Sequence, residues 1–274
     1  MARRRTYGRP VGTGPFRADQ LREGDRYELT HGHPIYCEPS GGRGAGTNGV
    51  GFEVLDTDPD VDSAGVDAGF APAPDTLRAP DVAVGNVPDA PGWIKGAPLL
   101  AVEYADTGQD EGTLQQKIRD LLEAGTRQVW VARLTGARRV EVYEAAREPR
   151  VAVAGEELTA PGILRNPVPV DALFDRTLAH ELTLRNLLQR RGYESLEQLR
   201  AEGEVRGRAE GEVRGRAEGE VRGRAEALLA IFAARGLPVT AAERARVLGC
   251  TDLDRLARWI GRAVTAPSVA AALE

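Results

Sequence analysis

The alternation of apolar and polar positions divides the chain near residue 175 into a strand-rich part and a helical part. RYELTHGHPIYCE at 26–38 holds two short apolar runs around His31-Gly32, which predicts a β-hairpin. Short strands are predicted at 81–84 (DVAV), 98–104 (PLLAVEY), 128–133 (QVWVAR), 139–144 (RVEVYE) and 149–153. SGGRGAGTNG at 40–49 is too rich in glycine for a firm element and predicts a loop or a poor helix. Between the second and third strands the period becomes helical. Leu114, Ile118, Leu121 and Leu122 fall at i, i+4, i+7 and i+8 and make one buried stripe. Thr113 with Gln116 reads as a capping box, and Gly125 as a stop. Strand, helix and strand of these lengths predict a right-handed crossover in a mixed sheet.

After Phe174 the pattern is helical. Residues 201–224 are three perfect copies of AEGEVRGR, in which each Glu precedes an Arg by four residues. Such pairs return about 0.2–0.5 kcal/mol each. The six glycines at every fourth position cost about 1 kcal/mol each, so the segment predicts a frayed or partner-stabilised helix. The period of eight drifts by about 80° per repeat, so Val205, Val213 and Val221 make no straight seam. The repeat reads as a solvated spacer or, alternatively, as a self-association helix. Residues 226–265 predict two amphipathic helices, ALLAIFAARG and TDLDRLARWIGRAV, separated by Gly236-Leu237-Pro238 and Gly249. The expected organisation is a basic arm at 1–19, a folded domain at 20–175, a helical segment at 176–225 and a small helical region at 226–274.

Composition narrows the classes. With 42% hydrophobic and 28% charged residues, most of the chain can bury a core. A net charge of −5 argues against a generally basic nucleic-acid binder. The charge is uneven, however. Residues 1–26 carry seven arginines against three acids, whereas 53–89 carry nine acids against Arg78 alone. That acidic belt is either a solvated loop or a site that concentrates a cation. Only Lys95 and Lys117 are lysines; the other 34 basic residues are arginines. Cys37 and Cys250 fit neither a disulfide framework nor a zinc cluster, and read as packed thiols. His31 and His33 flank a turn glycine without a partner pattern, and the glycines at 41–51 are not followed by the Gly-Lys-Ser/Thr of a phosphate loop. No apolar stretch has the roughly 18–20 residues of a membrane span, and the start lacks a secretory core, so a soluble cytoplasmic protein is expected.

The candidate chemistry is Asp81, Glu103 and Lys117. Asp81 opens a short apolar strand, and Glu103 interrupts the hydrophobic LLAVEY. A carboxylate in a buried strand must be paired, protonated or metal-bound. Lys117 lies between Leu114 and Leu121, at the border of the helix's buried face. Two carboxylates on adjacent strands with an inward lysine are what a magnesium-dependent phosphodiester hydrolase needs. The same three groups could instead form a buried salt bridge.

YELTHGHPIY at 27–36, RAPDVAV at 78–84, PLLAVEYAD at 98–106, the Lys117 helix running into AGTRQVWV at 124–131, and Leu158 through Pro161-Gly162 to VPVDALF at 168–174 resemble the Uma-type putative restriction endonucleases of the PD-(D/E)XK nuclease superfamily. The resemblance covers about residues 20–175. It implies an α/β (α+β) fold, a restriction-endonuclease-like mixed β-sheet flanked by helices, to which the carboxy-terminal helices are an extension. It also implies that Asp81 and Glu103 are metal ligands, with the backbone carbonyl of Tyr104 as a third and Glu28, in the YEL block, as a further acid. Lys117 would then supply from the helix the lysine that the superfamily places two residues after its glutamate, where this chain has Ala105. Asp106 stands at a place where the family has serine, and the family's long helix after the hairpin falls on the glycine-rich 40–50 segment. The implied activity is a magnesium-dependent DNA endonuclease, with manganese as a substitute. Arg43, Arg78, Arg127 and the 3–9 cluster are the candidate phosphate contacts. The other reading is a nuclease-fold module that binds or assembles, forming a homo-oligomer through its helical tail.

Overall fold

The computed structural model describes residues 14–108 and 110–274. The arginine cluster at 3–9 lies outside the described residues. The last residues of the expected basic arm fold instead. Ala18 and Leu21 bury with Leu29 and Leu77, and Phe16 packs against them, because these apolar side chains have a sheet to cover. The chain divides into two units at Ser195–Leu196.

Among the described residues the first unit holds two principal sheets and three α-helices. Strands β1 (Tyr27–Thr30) and β2 (His33–Tyr36) form the expected hairpin. His31 and Gly32 take φ of 48° and 76°, the two positive values that a tight turn of the hairpin hand requires. Helix α1 (Gly42–Asp56) follows, then β3 (Ala64–Val66), β4 (Phe70–Ala73), β5 (Thr76–Arg78), β6 (Val82–Val84), β7 (Ile94–Lys95) and β8 (Leu100–Ala105). Helix α2 (Glu111–Glu123), β9 (Gln128–Arg133), β10 (Arg139–Glu144), β11 (Arg150–Val153) and α3 (Arg176–Arg190) come next, with a small two-stranded pairing of 157–158 with 168–169 between β11 and α3. One sheet runs β2-β1-β5-β4-β7 and the other β11-β10-β9-β8-β6-β3. In the second sheet β8 and β9 are parallel and joined by α2, the expected crossover, and the other pairs are antiparallel.

The glycine-rich segment departs from expectation, since α1 is a full helix of 15 residues. Its anchor is tertiary. Val50, Val54 and Leu55 bury against the sheet, and that packing outweighs poor propensity. Gly51 suits the close approach there, because an added Cβ would run into the Tyr104 hydroxyl unless that ring shifted. The start of α2 also differs. Its cap is Asp110, whose side chain accepts from the Thr113 N–H, so Thr113 lies inside the first turn.

The second unit contains α4 (Leu196–Ala234), α5 (Ala241–Leu248), α6 (Leu253–Ala263) and α7 (Val269–Ala272). The predicted frayed repeat is part of one 39-residue helix. Ala225, Leu228 and Phe232 anchor its end in a core with Leu256 and Trp259, and helix propagates from that nucleus more readily than it starts alone. The repeat remains solvated, with Val205 70% and Val213 72% exposed. Helix α5, built on a Thr240–Glu243 capping box, separates the two amphipathic helices expected here. Among the described residues no helix is long and apolar enough to cross a membrane.

Candidate active site

Strand register decides which side chains meet. Val82 pairs with Val102, Ala83 with Ala101 and Val84 with Leu100, so one further step sets Asp81 opposite Glu103. Directly opposed residues point to the same face, with Cβ atoms about 5 Å apart. On that face Ala101 and Ala105 pack against Leu114, Ile118 and Leu121 of α2. Glu103 lies between the two alanines, and Lys117 meets it from α2.

The Lys117 ammonium is held on three sides. It lies 2.8 Å from Glu103 Oε1 and 3.0 Å from Glu28 Oε1, and it donates to the Ala79 carbonyl at 2.7 Å. The Tyr104 N–H donates to Asp81 Oδ2 at 2.6 Å. The Tyr104 carbonyl leaves the strand from the same edge. In this register it faces residue 80, a proline with no N–H to offer.

A second layer fixes the first. Arg78, 1% exposed, donates to Glu28 Oε2 at 2.9 Å and from Nε and Nη2 to Asp120 Oδ2 at 2.9 and 2.7 Å. Asp120 also accepts from Thr30 at 2.8 Å and Gln116 at 2.7 Å.

Burial, reinforced by Asp81 and Glu28 and opposed by Lys117, pushes the Glu103 carboxyl up to about 8. Burial also raises Asp81, against the pull of Lys117 and the Tyr104 N–H. For Lys117, burial acts against the charge, but Glu103, Glu28 and Asp81 outweigh it and raise its pKa. The side chain is therefore a permanent ammonium. It can orient water or offset negative charge but cannot take up a proton at neutral pH.

Magnesium takes hard oxygen donors, commonly one or two carboxylates, with water and substrate phosphate completing the shell. Asp81, Glu103 and the Tyr104 carbonyl fit that donor set. Both oxygens of the buried Glu103 carboxyl meet the Lys117 ammonium, Oε1 at 2.8 Å and Oε2, which accepts from it, at 3.1 Å. Among the described residues no three His, Cys, Asp or Glu side chains converge as a ready metal cluster, so water or phosphate would have to complete any coordination here.

The remaining predicted residues divide. Glu28 is at the site, but its oxygens are taken by Arg78, Lys117 and the Ala79 N–H, so it positions Lys117 rather than offering a free ligand. Arg78 cannot be a phosphate contact, because it is sealed in the ion pairs just described. Arg43 is exposed and paired with Asp106, just beyond β8. Arg127 is exposed at the opposite strand end, about 13 Å from Glu103 along β8, where its N–H meets the Leu99 carbonyl. His31 stands 4.0 Å from Asp120. Burial, reinforced by Glu28, pushes the Cys37 thiol up to about 11, which leaves it unreactive.

Two acids of the site were absent from the sequence reading. Asp120 had a signal, an acid three residues after Lys117 and next to Leu121. Asp67, which adds to the negative field at Asp81, had none beyond the acidic belt.

Comparison with known proteins agrees with this fold. The family model "Uma2: Putative restriction endonuclease" matches residues 16–168. The crystal structure of a putative nuclease belonging to DUF820 from Anabaena variabilis is 18% identical with a TM-score of 0.50. The match covers 58% of this chain and 98% of that one. At that identity the likeness establishes the fold alone. No curated protein matches the chain.

Proposed function

The chain belongs to the Uma2 family of putative restriction endonucleases, and from that premise we propose a magnesium-dependent endonuclease that hydrolyses DNA phosphodiester bonds at Asp81 and Glu103. The observation that carries the proposal is the placing of these carboxylates opposite each other on one buried face, with Lys117 against them. A structural salt bridge would need one carboxylate for one ammonium. Here Glu28, Asp81 and Glu103 all act on Lys117.

Asp81, Glu103 and the Tyr104 carbonyl would hold the cation, with manganese able to replace magnesium. When bound, the cation stabilises the negative charge that develops on the scissile phosphate. Lys117, kept protonated, orients the attacking water or offsets phosphate charge beside the carboxylates. Glu28 and the Ala79 carbonyl fix the ammonium's direction, and Arg78 with Asp120 keeps Glu28 from turning away. Phosphate contacts outside this centre fall to exposed arginines such as Arg43, which pairs with Asp106 just beyond β8.

The test is cleavage of supercoiled plasmid and single-stranded DNA by the full chain with Mg²⁺ or Mn²⁺. Asp81→Asn and Glu103→Gln should each abolish it, and undiminished cleavage by either variant would sink the assignment. A second reading, a nuclease-fold module that binds or assembles without cutting, draws on the solvated repeat helix with its exposed Val205 and Val213. Light scattering of the full chain across concentrations separates the two. A constant mass of 29.4 kDa removes self-assembly through the tail.

A further inference from the structure

We propose that the exposed face of α6 is a binding surface for duplex DNA, seated in the major groove with Arg255, Arg258 and Arg262 on backbone phosphates. The inference stands on the second unit alone and needs neither a cation at Asp81 and Glu103 nor cleavage.

Helix periodicity sorts α6 into two faces. Leu256, Trp259 and Ala263 are buried, in a core with Leu228 and Phe232 of α4 and Val247 of α5. Arg255, Arg258 and Arg262 stand at i, i+3 and i+7, which puts them on one side of the helix, and all three are exposed. Ala257, Gly261 and one acid, Asp254, make up the rest of the exposed positions. Other arginines of the unit are used in holding α6. Arg224 donates to the Leu253 carbonyl at 3.2 Å and Arg235 to the Ala263 carbonyl at 2.8 Å, and Arg246 lies over the Trp259 ring, 5.3 Å from its centre. The stripe has no such work. Arg255 approaches Asp252 at 3.8 Å, and Asp252 already accepts the Arg255 N–H as the cap of the helix. Arg258 and Arg262 make no side-chain hydrogen bond or ion pair among the described residues.

The surroundings of the stripe select the partner. Helices α5 and α6 are joined by residues 249–252, a four-residue turn that opens with Gly249. That is the spacing of a helix-turn-helix, whose second helix lies in the major groove. Arg255 and Arg262 are about 10.5 Å apart along the helix axis, which matches a groove about 12 Å wide. Each guanidinium fork can bond two phosphate oxygens at once. A membrane surface would require an apolar face beside the cations, but Leu256 and Trp259 are committed to the core. A protein partner would require an aromatic or aliphatic anchor, and the exposed positions of α6 offer nothing apolar beyond Ala257. Charge also separates α6 from the repeat. Each AEGEVRGR carries two Glu and two Arg, which cancel, whereas α6 carries three Arg against one acid.

The experiment is fluorescence anisotropy of a labelled random-sequence DNA duplex with the full chain, in EDTA to prevent cleavage, across a series of NaCl concentrations. The variants are Arg255→Gln, Arg258→Gln, Arg262→Gln and the three combined; glutamine keeps the helix propensity of arginine, and circular dichroism checks the fold. Arg206→Gln in the repeat removes the same charge and is the control. Each phosphate contact contributes about −0.9 to the slope of log K against log salt. Each single variant should make that slope shallower by about 0.9 and the combination by about 2.7, with at least about tenfold weaker binding at low salt. Arg206→Gln should change neither. A wild-type slope in the α6 variants places any DNA contact elsewhere and overturns the proposal, while the cleavage assay still decides the first unit. An equal loss in Arg206→Gln overturns it as general charge attraction. No duplex binding by the wild type overturns it outright, and sedimentation with phosphatidylserine vesicles that the combined variant loses would then assign the stripe to a membrane surface.

Discussion

Val102 and Glu103 are adjacent on β8 and both are buried, yet they face different chemistry. Val102 and Tyr104 point toward α1 into a layer that includes Val50, Val54, Leu100 and Trp130. Glu103 points toward α2, where its neighbours are Lys117 and Asp81. The apolar face stabilises the fold, since each fully buried side chain contributes about 1.5–3 kcal/mol. The charged face costs stability, because ions withdrawn from water are only partly repaid by one another. A fold that needed α2 only as cover would place a third alanine or a valine at 103. The carboxylate at 103 is what the proposed cation site would use.

The sharpest way to break this contrast is to neutralise the charged face. Asp81→Asn and Glu103→Gln should lower the rate of DNA cleavage by at least about 10²-fold while the protein stays folded, with melting temperatures within a few degrees of wild type by calorimetry. Unfolding of Glu103→Gln would mean that the charged face is structural after all. The converse change is Leu100→Ala on the apolar face. It should cost about 2–5 kcal/mol in urea unfolding, with Mg²⁺ affinity of the folded fraction unaltered. Equal loss of metal affinity there would show that the two faces are not independent.

A smaller effect follows from the raised Glu103 carboxyl, which titrates at about 8. Below that pH the group carries a proton that a cation must displace. Apparent Mg²⁺ affinity should therefore rise about tenfold per pH unit up to about 8 and then level off. The free protein shows the opposite trend. The stabilising contribution of neutral Glu103 is complete below an ordinary carboxyl value of 4.5 and is lost as pH climbs through about 8. Glu103→Gln should flatten both profiles, and an unchanged profile would assign the titration to another group. The smallest effect is in the second unit. Gly203→Ala, Gly211→Ala and Gly219→Ala sit where an added Cβ meets nothing within 4 Å. Each should stabilise α4 by about 1 kcal/mol, read as a later loss of helical circular dichroism on heating. Destabilisation with a change in mass would instead show copies packing on the glycines.

Much of the first unit was legible in the chain. Residues 128–133 and 139–144 alternate strongly enough that β9 and β10 match them end to end. The α2 stripe was likewise plain, because Leu114, Ile118 and Leu121 must share a face. Helix α1 was obscured because its glycines oppose helix locally, and only the sheet beneath Val50 and Val54 outweighs them. The cap of α2 was misplaced because Asp110 and Thr113 are both good caps, and chain direction after β8 chooses between them. Arg78 looked like a phosphate contact because it is a lone cation in an acidic stretch. Its acids, Glu28 and Asp120, come from a distant strand and a helix.

The sequence by itself determined the strand and helix periods, the odd glutamate in LLAVEY and the rarity of lysine, each readable from a single residue or its near neighbours. Tertiary structure decided which acids share a row. Strand register is set by pairing partners far apart in the chain, and a slip of one residue would turn Glu103 away from Lys117 and Asp81 to the other face.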